Sequence, residues 1–113
     1  MTNKIYNIDN YEILICNINN KIYIECKKLE YIYKIKFNYI NNLELSINNI
    51  YNLICNTFEK RKNYNYKINI HKNIMNINFN ITLDNNINFI FDINCKLIKY
   101  NVKPLELLDI IIN

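Results

Sequence analysis

The strongest constraint on this chain is a repeated alternation of apolar and polar residues with a period of two. Between residues 31 and 39 the apolar positions are Tyr31, Tyr33, Ile35, Phe37 and Tyr39, and the polar positions between them are Lys34, Lys36 and Asn38. This alternation is typical of a β-strand with one buried and one solvated face. It recurs within residues 22–26, 64–70, 77–83 and 87–97. Residues 11–18 are apolar on both faces, which indicates a central strand.

The turns between these strands must form without glycine, because the chain contains none. Asparagine is the other residue that readily adopts the left-handed backbone conformation of tight turns, since its short side chain bonds locally. Asparagines punctuate the chain at Asn19–Asn20, Asn41–Asn42, Asn63, Asn73 and Asn85–Asn86. Connections this short predict antiparallel neighbours, because a parallel crossover needs a dozen or more residues.

The period changes once, after Leu45. Apolar residues then recur at helical spacing at Ile47, Ile50, Tyr51, Ile54 and Phe58. This spacing predicts an amphipathic helix over residues 46–62. Ser46 is suited to cap its first turn, and Asn63 is suited to the left-handed position after its last turn.

The sequence therefore predicts one α+β domain over residues 1–113. We expect an antiparallel β meander of about six strands, arranged as three strands, a helix and three strands, with the helix packed on the sheet. The strands fall within residues 4–45 and 64–100, and the helix covers 46–62. Pro104 fits the first turn of a second, short helix over residues 104–112.

The charge of the chain excludes few classes of function, but its hydropathy indicates where the protein is located in the cell. Fourteen cationic and ten acidic residues are interspersed and give a net charge of +4. The first residues lead into no continuous apolar run, and no stretch approaches the roughly 18 apolar residues of a membrane span. We expect a cytoplasmic protein without a membrane partner.

Residues able to support catalysis are sparse. His71, the single histidine, falls on the polar face of its predicted strand, and Cys16, Cys26, Cys55 and Cys95 form no metal-binding or redox spacing. Phosphate-binding loops need glycine, which is absent. We predict no enzyme activity, no cofactor and no metal site, and the sequence leaves open whether His71 and the cysteines converge.

A basic face is the first candidate interaction surface. If residues 21–27 and 31–39 pair as a hairpin, Lys21, Tyr23, Lys27, Lys34 and Lys36 project from one side. Cations around an aromatic ring are typical of single-stranded nucleic-acid binding, although Glu25 interrupts the patch and solvated sheet faces often carry lysine. This face supports an alternative prediction of a nucleic-acid-binding accessory protein.

The C-terminal segment is the second candidate surface. Within residues 105–112 only Glu106 and Asp109 are polar. Eight residues do not hold a helix alone, so the segment packs against its own domain or contacts a partner. We predict contact with a second copy or another protein through Leu105, Leu108, Ile111 and Ile112.

The run from Leu45 to Leu97 combines the capped helical stretch with the alternating stretches that follow it. In this order and composition it resembles head domains of uncharacterised proteins from AT-rich large DNA viruses and protists. That resemblance implies an interaction or assembly module and no catalytic residues. With the missing catalytic grouping and the apolar C-terminal segment, it supports the main functional prediction, a non-enzymatic structural or protein-interaction domain. The resemblance further implies a large DNA virus as the source, with the protein in the host cytoplasm or the virion.

Overall fold

A computed structural model describes residues 2–98, in which the backbone forms seven strands and one α-helix. In chain order the elements are β1 (Thr2–Ile8), β2 (Tyr11–Ile18), β3 (Lys21–Lys28), β4 (Tyr31–Phe37), α1 (Ile47–Phe58), β5 (Tyr64–His71), β6 (Ile74–Thr82) and β7 (Asn88–Ile98). A short 3₁₀ turn at Asp84–Asn86 precedes β7. The helix predicted over 104–112 lies outside the described residues.

All seven strands join one antiparallel sheet in the order β1-β2-β3-β4-β7-β6-β5, which curls into a half-barrel. The α+β class, the antiparallel sheet and the helix between two runs of strands are confirmed. A single meander is not, because β4 pairs with β7 and β5 lies at the far edge of the sheet. The prediction of six strands is wrong, because four strands precede α1. Sequence reading missed β1 because it is an edge strand with mostly exposed side chains, including Ile5 at 61% exposure, so its alternation is weak.

The core lies on the inner face of the sheet, which is the face that packs against α1. Register places one row of apolar side chains from each strand on this face, for example Ile13, Cys26 and Tyr33 in neighbouring strands. The helix contributes Ile50, Ile54 and Phe58, all buried. The alternation seen in the sequence is therefore the division between this inner face and the solvated outer face.

Phe58 connects the two ends of the sheet through its aromatic contacts. Its ring centroid lies 5.9 Å from that of Tyr6 in β1, 5.6 Å from Tyr66 in β5 and 5.8 Å from Phe79 in β6. The latter two contacts have the edge-to-face geometry that aromatic pairs prefer. Because β1 and β5 are opposite edges of the sheet, this side chain helps to hold the curl.

The helix begins as predicted and ends earlier. The Oγ atom of Ser46 accepts a hydrogen bond from the backbone N–H of Asn49 at 3.2 Å, which confirms the N-cap. The last helical residue is Phe58, and Lys60 (φ 59°) takes the left-handed position directly after the helix. Asn63 is also left-handed (φ 68°), as predicted, but lies in the turn into β5. The N–H groups of Lys60 and Arg61 bond back to carbonyls of the last turn, as in a Schellman motif. Residues 59–63 form the turn that leads from the helix into β5.

Four of the five predicted turns contain a left-handed asparagine, including those at Asn42 and Asn86. Asn19 and Asn20 are both left-handed, as predicted, and Asp9–Asn10 forms a similar turn that the sequence reading did not identify. In the turn between β5 and β6 the left-handed residue is Lys72 (φ 56°) rather than Asn73. Between β3 and β4 the corresponding residue is Leu29 (φ 52°).

Candidate functional site

The predicted basic face exists on the outer side of the first four strands. β3 and β4 pair antiparallel as the hairpin prediction required, with Tyr23 opposite Lys36 and Glu25 opposite Lys34. Alternation along the two strands places all five predicted residues on this face, namely Lys21, Tyr23, Lys27, Lys34 and Lys36. The structure thus brings the predicted residues together.

Glu25 lies at the centre of this face and interacts with two of its side chains, those of Tyr23 and Lys34. The Tyr23 hydroxyl donates a hydrogen bond to a Glu25 carboxylate oxygen at 3.3 Å, and the Lys34 ammonium lies 3.9 Å from the same oxygen. A hydrogen bond with Tyr23, followed by charge interactions with Tyr23 and Glu25, raises the pKa of Lys34. The single aromatic ring of the patch is therefore tied to a carboxylate.

A further lysine joins the face across the sheet. Lys96 of β7 is paired directly with Lys34 of β4. Sequence reasoning missed it because the two residues are 62 positions apart in the chain and only the closure of the sheet places them side by side. Like charges directly opposite one another destabilise a sheet. The repulsion between these two lysines is therefore tolerated only where solvent or anionic groups screen it.

A cleft of about 640 Å³ lies between β4 and β7. β4 and β7 pair over only three positions, Ile32–Lys34 with Lys96–Ile98. Beyond this short seam the two strands separate, and β7 is paired only with β6 along Asn88–Lys96. The cleft is therefore a gap in the hydrogen-bonded sheet.

One wall of the cleft is the end of β4 and the loop that follows it, and the other is β7. Its lining residues are Ile35, Lys36, Phe37, Asn38, Tyr39, Ile40, Asn41, Asn42, Ile90, Phe91, Asp92, Ile93 and Asn94. β4 was predicted to continue to Tyr39, but it ends at Phe37, and Tyr39 is 68% exposed. Ile90 on the opposite wall is 62% exposed. The cleft therefore offers exposed apolar groups next to one cation and one carboxylate.

Over residues 88–95, the β7 backbone has no partner strand among residues 2–98 on the side that faces the cleft. Within residues 2–98, the loop after β4 makes backbone hydrogen bonds among its own residues, between Leu43 and Ile40 and between Leu45 and Leu43, and none to β7. Unpaired N–H and C=O groups along a strand are a template for another strand. The edge strands β1 and β5 also carry such groups, but β7 carries them beside the cleft and its apolar side chains.

The histidine and the cysteines lie in different environments. His71 is exposed at the end of β5, whereas all four cysteines are free and buried. Interaction with the neighbouring Cys95 thiol, together with burial, raises the pKa of Cys26, and burial raises the pKa of Cys55. A raised thiol pKa makes Cys26 and Cys55 poor nucleophiles.

A polar cluster fixes the end of α1 against β1. The Glu59 carboxylate accepts hydrogen bonds from the Tyr6 hydroxyl at 2.6 Å and from the Lys4 ammonium at 3.1 Å. These two bonds lower the pKa of Glu59, while burial and the bond to Glu59 raise the pKa of Tyr6. The cluster links β1 to Glu59, the residue directly after Phe58 at the end of α1.

No group of three or more His, Cys, Asp or Glu side chains suited to a metal ion occurs in the described part of the chain. Over the same residues, no helix is long and apolar enough to cross a membrane. Comparisons of this chain with protein-family models, with curated proteins and with solved structures find no match.

Proposed function

We propose that this domain is a protein-interaction and assembly module, rather than an enzyme, and that it binds an extended segment of a partner polypeptide in the cleft between β4 and β7. The observation that carries the proposal is the unpaired edge of β7 over residues 88–95. A strand added there would extend the ladder that β6 and β7 already form. Main-chain hydrogen bonds would supply affinity, and the side chains of the cleft would supply specificity.

The side chains of the cleft suit such a segment. Tyr39 and Ile90 offer exposed apolar surface on opposite walls, and Phe91 and Ile93 form a buried apolar base. Alternate residues of an added strand point to opposite faces. A partner strand would therefore place its apolar residues against the buried base of the cleft and its polar residues toward solvent.

Selection from a display library of random peptides, each long enough to span residues 88–95, tests the proposal on the intact protein. We expect selected peptides to slow hydrogen exchange of β7 amides on binding. N-methylation of alternate peptide amides should abolish binding, because it removes the donors that a strand needs. Binding that is unaffected by N-methylation would exclude strand addition.

A matched pair of variants locates the site. Ile90→Lys places a charge on the cleft wall and should weaken binding by roughly tenfold or more. Ile74→Lys makes the same change on β6 at a partly exposed position that does not line the cleft, and should leave binding unchanged. Equal affinities of the two variants would place the interaction elsewhere.

Nucleic-acid binding is a second candidate, because the predicted lysines share one face and Lys96 enlarges it. Retention of single-stranded oligonucleotides at low salt should fall steeply with salt concentration if phosphates are bound. The double variant Lys34→Gln and Lys36→Gln should reduce retention, whereas Lys67→Gln, on β5 in the other half of the sheet, should not. Absence of retention at low salt would end this candidate.

A further inference from the structure

The end of the half-barrel at the β3–β4 turn is incompletely covered. A pocket of about 210 Å³ lies there, here called the rim pocket, and its lining residues are Tyr11, Lys28, Leu29, Tyr31, Tyr33 and Ile70. Tyr11 and Tyr33 form a buried base. Leu29, Tyr31 and Ile70 are 82%, 54% and 48% exposed, respectively. An apolar rim this exposed is normally covered in a folded protein.

β7 ends beside this pocket. Its last residue, Ile98, pairs with Ile32, and Leu97 pairs with Tyr33, which lines the pocket. Residues 99–104 then connect β7 to the apolar segment 105–112. Six extended residues span up to about 20 Å, so the apolar segment starts within reach of the rim.

We propose that residues 105–112 of the same chain cover the rim pocket. The segment carries six aliphatic side chains and two carboxylates, Glu106 and Asp109. The single charged residue lining the pocket is Lys28, whose Nζ lies 5.2 Å from the centre of the Tyr11 ring. The apolar surfaces match, and the charges that accompany them are of opposite sign.

The connection favours the chain's own segment over that of a second copy. A short tether gives an effective concentration in the millimolar range, which an exchanging copy at ordinary protein concentration does not reach. On this proposal Leu105, Leu108, Ile111 and Ile112, which the sequence predicted as partner contacts, supply the side chains that meet the rim. The proposal is independent of the cleft, which lies along β7 beyond the short seam.

Hydrogen exchange of the full-length protein tests the proposal. We expect amides of residues 105–112 to exchange roughly tenfold or more slowly than in an unstructured peptide. Ile70→Asp and Tyr31→Ser should remove that protection. Ile5→Asp, a change at an isoleucine that is also exposed, on the outer face of β1, should preserve it, and so should the cleft variant Ile90→Lys.

Three results would overturn the proposal. The first is rapid exchange of residues 105–112 in the unaltered protein, and the second is protection that survives both rim variants. The third is protection that appears only at concentrations where sedimentation detects a dimer, which would assign the pocket to a second copy. A monomer whose protection is lost in both rim variants would support it.

Discussion

The strands β1–β4 and the strands β5–β7 are both antiparallel meanders, but their outer faces differ. In β5–β7 the outer face consists largely of amides that bond across strands, with Asn76 donating to Asn94 at 2.9 Å and Asn78 donating to Asp92 at 2.7 Å. In β1–β4 the outer face carries lysines around Glu25. The second half therefore satisfies its own polar groups, whereas the first half presents charge to its surroundings.

The joint between the halves differs from the ladders within them. β2 and β3 pair along seven positions and β6 and β7 along nine, but β4 and β7 pair along only three. The helix spans the joint instead, because Phe58 contacts both edge strands of the sheet. The comparison indicates that side-chain packing against α1, more than backbone pairing, couples the two halves.

Replacing Phe58 by alanine is the strongest way to break this coupling. We expect a loss of about 3–5 kcal/mol in the free energy of unfolding, as for other buried phenylalanines. Because Phe58 contacts both halves, the denaturant dependence of unfolding should also become shallower as the halves unfold less cooperatively. Urea unfolding followed by circular dichroism measures both quantities.

Phe91→Ala is the matched control for this prediction. Phe91 is also buried, and its one aromatic partner, Phe79, lies within its own half at a centroid distance of 4.7 Å. We expect a comparable loss of stability without a change in cooperativity. If the two variants lower cooperativity equally, the helix is not the element that couples the halves.

The turns of the two halves offer a smaller test. Asn20 in the first half and Lys72 in the second are both left-handed, but only asparagine is suited to that conformation. Asn20→Ala should cost about 1 kcal/mol, and Lys72→Asn should stabilise the protein by about 0.5 kcal/mol. Thermal unfolding measures both changes. Asn69→Ala, at an exposed position within β5, is the control, and a loss equal to that of Asn20→Ala would contradict the explanation.

Sequence reasoning identified the features of the fold that depend on local pattern. Alternation at period two reflects one buried face, so it placed Tyr33 and Phe79 in the core whichever strands lay beside them. The cap at Ser46 is also local, because it depends on a residue three positions along the chain. The hairpin of β3 and β4 followed from the shortness of its turn.

The candidate cleft was beyond the reach of such reasoning. It exists because β4 stops at Phe37 and diverges from β7, and neither event leaves a periodic signal. The alternation in fact continues through Asn38 to Tyr39, which is why the strand was predicted to be longer. Pairing between β4 and β7, and with it the contact of Lys34 with Lys96, depends on how the two meanders close, which is a property of the whole chain.

Removing the contacts between Glu59 at the end of α1 and β1 should have the smallest effect on stability, because the Lys4–Glu59 pair is exposed. The pKa of Glu59 is lowered by Tyr6 and Lys4, so its contribution to stability is present above the unfolded pKa of about 4.3 and is lost as the pH falls below it. Glu59→Gln should therefore reduce stability at neutral pH and weaken the decline of stability in acid. Urea midpoints measured across this pH range test the prediction, with Glu44→Gln in the exposed loop before α1 as the control. An acid decline in Glu59→Gln as steep as that of the unaltered protein would show that this carboxylate does not hold the helix to the first half of the sheet.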